Sequence, residues 1–83
     1  MGTYIGQALR ELRSERNISS EEMAYSLCIS QSAYSKYENN IYPTPFQIIK
    51  TITISHKTLK IIKAWRDENF KLEQDVYDQF ITA

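Results

Sequence analysis

Apolar positions along the chain recur at helical spacing and are punctuated by polar breaks. Ile5, Ala8, Leu9 and Leu12 fall at i, i+3, i+4 and i+7, which predicts a helix from about Tyr4 to Glu15, ended by Arg16 and Asn17. Ser19 followed by Glu22 is the pattern in which a hydroxyl and a carboxylate each satisfy a free N–H at a helix start; Met23, Ala24 and Leu27 then face inward. After a break at Cys28 and Ile29, Ser30 is placed to cap a third helix running to Glu38, with Tyr34 and Tyr37 inside. Asn39 and Asn40 suit the left-handed backbone that stops helices where glycine is lacking. Thr44 as cap and Pro45 as first helical residue open a fourth helix, with Ile48, Ile49 and Ile52 on its inner face. The β-branched run Ile52-Thr53-Ile54 also fits a strand, but it is short and lacks a pairing partner, so a helix end is preferred. Leu59, Ile62, Trp65, Leu72, Val76 and Phe80 recur at spacings of three, four or seven, which predicts one long helix or two shorter ones divided near Asn69.

The expected fold class is therefore all-α, with four to five short helices and a helical extension. The 83 residues leave room for one small domain, divided in expectation into a body over 1–55 and a C-terminal segment over 56–83. No apolar run approaches the length of a membrane span, and Met1-Gly2-Thr3-Tyr4 does not read as an export signal, so a cytoplasmic location is expected. Cys28 is the single cysteine, which excludes an intrachain disulfide. His56 has no second histidine or cysteine at ligand spacing and reads as a helix-start residue. With one histidine, one cysteine and acids scattered over helix surfaces, no nucleophile and base pair up, so no enzyme, metal, cofactor or small-molecule ligand is expected.

Charge changes the picture less by its total than by its distribution. Ten Lys and Arg balance ten Asp and Glu. Residues 46–63 carry Lys50, Lys57, Lys60 and Lys63 without an acid, whereas 64–83 set Arg66 and Lys71 against Asp67, Glu68, Glu73, Asp75 and Asp78.

Two short serine-capped helices joined by a tight break project the second helix from a compact body. Residues 5–55 resemble the helix-turn-helix family of lambdoid phage repressors and Cro proteins, also called the XRE family. The resemblance is carried by Ile5-Gly6, Arg13, the run Ser19-Ser20-Glu21-Glu22-Met23-Ala24, Ile29-Ser30, the run Ser35-Lys36-Tyr37-Glu38-Asn39-Asn40, and Pro43. It implies that Gln31, Ser32 and Lys36, assisted by Ser35, read base edges in the major groove. The chemistry suits that task, because glutamine pairs with adenine, lysine donates to guanine, and serine serves either role. It further implies phosphate contacts from Ser19, Ser20, Asn39 and Asn40, with Tyr42 as a further candidate. Arg13 and Glu38 stand where many members form an ion pair between the first and third helices; an ordinary surface pair and a buried bridge both remain open here.

The chain departs from the family pattern at three places. Ser20 replaces a usual glutamine, Cys28 stands where glycine is usual, and the loop Ile41-Tyr42 lacks the basic residues common in relatives. Residues 1–45 hold four basic groups against five acidic ones, so modest monomer affinity for DNA is expected. A homodimer on a palindromic operator would compensate, and Trp65, Leu72, Val76 and Phe80 are the expected dimer stripe. A chain that folds back near Asn69 over its own body is the alternative. The function expected is a small transcriptional regulator, a repressor of phage or bacterial type binding double-stranded DNA. The alternative is a protein-binding module, an antirepressor or adaptor, on the same scaffold.

Overall fold

The computed structural model describes residues 3–70, and these form five helices and no strand. They are α1 (Gly6–Arg16), α2 (Ser20–Ser26), α3 (Gln31–Glu38), α4 (Phe46–Ser55) and α5 (residues 60–70). Leu72, Val76 and Phe80 lie outside the described residues. α2 and α3 pack directly on each other, and α1 packs on α3. The core is built from Ile5, Leu9 and Leu12 of the first segment, Met23, Ala24 and Leu27 around α2, Tyr34 of α3, and Ile49 and Ile52 of α4. Each was expected from the spacing of apolar residues. Tyr37 and Ile48 pack against that core from its margin.

The serines do what their positions suggest. Ser19 Oγ accepts the Glu22 N–H at 3.1 Å, and Ser30 Oγ accepts the Ala33 N–H at 3.1 Å, each satisfying a donor that the helix itself leaves free. The stop signals are less usual. Asn17, Cys28, Asn40 and Lys57 take φ values of 53°, 57°, 58° and 48°, and no glycine among the described residues shares this conformation. Three of these stops close with the same paired bonds. Ile18 N–H reaches Arg13 O and Asn17 N–H reaches Ser14 O; Ile29 and Cys28 reach Ala24 and Tyr25; Ile41 and Asn40 reach Lys36 and Tyr37. This double closure satisfies carbonyls that would be orphaned at the helix end. Cys28 thus fits a regular turn despite its side chain, which is exposed.

Gly6 is used for space rather than for φ. A Cβ there would sit 2.1 Å from Glu38 O, because the start of α1 runs against the end of α3. No side chain at the N-cap position covers that helix start; Asn40 Oδ1, far along the chain, accepts the Gly6 N–H at 2.9 Å.

Four expectations are corrected. α4 starts at Phe46 with Pro45 as its N-cap, one residue later than expected, because Thr44 is committed elsewhere: it exchanges two backbone hydrogen bonds with Thr3, at 3.1 and 2.8 Å. His56 closes α4 as its C-cap rather than opening the next helix. In α5 the fully buried residue is Ile61, while Leu59, expected to face inward, is 63% exposed; Ile62, as expected, packs against the core together with Ala64 and Trp65. Trp65 was expected beyond the reach of the body, yet it packs on the core margin with its ring 4.7 Å from that of Phe46. α5 includes Asn69 and continues to residue 70, where the described residues end, and Thr3 Oγ1 meets Asn69 Oδ1 at 3.3 Å. Lys60 ties the start of α5 to Glu11 and Glu15 of α1.

Two substitutions check these backbone assignments in opposite directions. Cys28→Gly should raise stability by up to about 1 kcal/mol, since glycine is free of the left-handed penalty. Gly6→Ala should lower it by about 1–3 kcal/mol, the range for overpacking against a wall that must shift. Urea denaturation of both variants is the measurement; a destabilised Cys28→Gly or a neutral Gly6→Ala contradicts the assignment.

Candidate nucleic-acid interface

One face of α3 is turned to the core by Tyr34 and Glu38, both buried. The helical period then sends Gln31, Ser32, Ser35 and Lys36 to the other side as two adjacent i, i+4 rows. Gln31, Ser32 and Ser35 are exposed, and Lys36 is partly covered. Gln31, Ser35 and Lys36 each have a partner within the chain. Gln31 Nε2 donates to Ser20 Oγ at 3.1 Å, fixing the start of α3 to the start of α2. Lys36 Nζ sits 5.3 Å from the centre of the Tyr42 ring, a cation over an aromatic face. Ser35 Oγ accepts from Asn39 Nδ2 at 3.1 Å.

The candidate phosphate contacts divide into two kinds. Ser19 and Ser20 each use an acceptor site inside the chain and so keep their hydroxyl proton for an outside acceptor. Asn39 has both ends of its amide engaged: Nδ2 donates to Ser35 O at 2.8 Å as well as to Ser35 Oγ, and Oδ1 accepts from Arg10 Nη2. Asn40 holds the start of α1 through its Oδ1. An exposed cation at this corner, Arg10, with its side chain 55% accessible, was not singled out from the sequence. Its spacing of three from Arg13 on α1 was the available signal, since it places both arginines on the side facing α3.

Glu38 is buried, and Arg13, half-buried, covers it from the side of α1. Arg13 Nε and Nη2 donate to the two Glu38 oxygens at 3.0 and 2.7 Å, and Arg13 Nη1 donates to Ile18 O at 3.2 Å. The pair therefore holds α1, α3 and the turn after α1 with one fork. Arg10 Nε adds a longer contact to Glu38 at 3.5 Å. Burial alone would push the Glu38 carboxyl up, but the Arg13 hydrogen bonds, with Tyr34 and the charges of Arg13 and Arg10, hold it below its ordinary value. Burial next to that carboxylate pushes the Tyr34 phenol far up, so it stays neutral. Behind the interface, Ser26 Oγ and His56 Nε2 meet at 3.1 Å, and burial, helped by the Arg16 charge, lowers the His56 value. No group of His, Cys, Asp and Glu among the described residues is placed to hold a metal ion. No helix among them is long and apolar enough to cross a membrane.

With this geometry in view, the comparison with known families is decisive. A family model described as a helix-turn-helix domain matches residues 6–75. The chain belongs to the helix-turn-helix domain family. Membership places it among DNA-binding regulators in general, a class that typically acts by binding rather than by catalysis. No curated protein and no solved structure matches the chain. The helix-turn-helix assignment covers the turn at Cys28, both capping serines and α5, and agrees with the resemblance to repressors and Cro proteins.

The buried pair has a pH signature. Glu38 has a depressed folded value, so its contribution is present above the ordinary carboxylate value of 4.5 and is lost as pH falls through the folded value. His56, lowered from 6.5, stays neutral more readily in the folded chain, so its contribution likewise fades on acidification, beginning near that ordinary value. Stability should accordingly decline in two stages below neutral pH. Arg13→Ala should cost about 3 kcal/mol at neutral pH, because it strands a buried carboxylate, and should lose the lower stage. Thermal melts across pH check this; a loss under 1 kcal/mol would make the pair an ordinary surface contact.

Proposed function

We propose that this helix-turn-helix chain is a sequence-specific double-stranded DNA-binding transcriptional regulator, a repressor of phage or bacterial type working in the cytoplasm. The observation that carries the reading is the outer face of α3: four short or flexible polar side chains project together, and three of them are oriented by neighbours. In a major groove, Gln31 held by Ser20 suits an adenine edge, and Lys36 resting on Tyr42 suits guanine, with Ser32 and Ser35 beside them. Ser19, Ser20 and Tyr42 are the phosphate contacts this docking favours, and Asn39 and Asn40 serve chiefly to hold the corner that presents them.

The neutral chain makes a single copy a weak binder, so we assign it a homodimer on a palindromic operator. Leu59 and Phe70 leave α5 well exposed, and Leu59, Ile62 and Trp65 line a mainly apolar hollow between the stems of Lys63 and Arg66. The segment 56–83, including Leu72, Val76 and Phe80, is the proposed dimer element, with Trp65 shared between it and its own body. A second reading, a protein-binding module on the same scaffold, is favoured by Tyr25, 86% exposed on α2, and by the exposed Ile54.

Selection of bound duplexes from a random pool should yield a palindromic consensus. Lys36→Ala should then cost about 1–3 kcal/mol on that site and relax preference at one base pair. An equal loss on every sequence would make Lys36 a phosphate anchor, and no duplex bound at low salt would favour the protein-binding module. Sedimentation of the full chain should show a dimer; a monomer at tens of micromolar would remove the dimer from this proposal.

A further inference from the structure

Arg10 stands at the junction of two shallow polar clefts. One runs from Arg10 past Arg13 and Asn17 to Ser19, the N-cap of α2; the other runs from Arg10 past Gln7 to Asn39 and Asn40 at the end of α3. Together they form a trough along the side of α1 that joins Ser19, a favoured phosphate contact, to the corner held by Asn39 and Asn40. Resting on the DNA reading above, we propose that Arg10 is the central phosphate anchor of this chain, gripping the DNA backbone between the start of α2 and the corner after α3.

Charge arithmetic supports that position. Along the trough, Arg10 and Arg13 are the cations and Glu38 is the acid. Glu38 is buried and its two oxygens are matched by the Arg13 fork, so the pair is close to neutral and inward. Two positive charges against one negative leave an excess of one, and it sits on Arg10, whose side chain is 55% exposed. The guanidinium is also oriented. Nη2 donates to Asn39 Oδ1, Asn39 in turn is bonded to Ser35, and Nε lies near Glu38, so its position is tied to the reading face of α3. A guanidinium presents five N–H donors, and these two contacts leave donors free for phosphate oxygens. In a chain with no net charge, and with exposed Glu21 and Glu22 opening α2, one oriented cation at this point is a larger share of the phosphate contacts than it would be on a basic surface.

The test measures affinity against salt for the full chain and for Arg10→Gln and Arg10→Lys, on the selected operator and on a mixed-sequence duplex about three helical turns long. Arg10→Gln keeps a donor for Asn39 without the charge. It should weaken binding by a similar factor on both duplexes and reduce the slope of log affinity against log salt by about one, while Arg10→Lys restores the slope. Melting temperature, read in parallel, separates a folding defect: a slope at a salt-independent melting point does not respond to a purely structural role. An unchanged slope in a folded Arg10→Gln overturns the anchor while the DNA reading stands. A parent chain that binds neither duplex at low salt overturns both.

Discussion

The fold is organised around one carboxylate taken out of water. Glu38 ends α3, the helix that carries the proposed reading face, and a charge buried there must be matched by close donors or it would neutralise or unfold the segment. Arg13 supplies them from α1 and uses its remaining nitrogen to hold the carbonyl of Ile18, where the chain turns into α2. A single planar fork therefore sets α3 relative to α1 and to the start of α2. Gly6 belongs to the same constraint: the pair can close only if the first turn of α1 comes hard against the Glu38 backbone, where no Cβ fits. What the α3 outer face offers to a groove is thus positioned from behind, by residues that touch no base.

Most of this was legible in the sequence because it is local. The spacing of Ile5, Leu9 and Leu12, the serines before α2 and α3, and the asparagines after α1 and α3 each act within one or two helical turns, where periodicity and capping chemistry are reliable guides. What escaped depends on residues distant in the chain. Thr44 looked like a cap because threonine before proline usually is one; its pairing with Thr3 has no local trace. Ile61 was missed as the innermost residue of α5 because Leu59, Ile61, Ile62 and Trp65 are all apolar, and only the body against which the helix lies selects Ile61 over Leu59.

The candidate site divided along the same line. Gln31, Ser32, Ser35 and Lys36 followed from the period of α3 once the two-helix unit was found. The work of Asn39 and Asn40 did not, since it depends on partners on α1. Arg10 was overlooked because one more arginine on a polar helix face has no pattern of its own, and its meaning comes from the neighbours that Asn39 and Glu38 give it.

The left-handed helix stops bear on a state of the chain that the folded contacts do not display. With asparagine, cysteine and lysine where glycine is commonly found, the unfolded chain has fewer backbone conformations open to it at four separate hinges. Each such position adds strain of about 1 kcal/mol to the native form and removes a comparable share of the disorder that folding must overcome. The two effects oppose each other: the denatured ensemble is narrower than glycine would leave it, while the left-handed conformation at each hinge is entered only on folding.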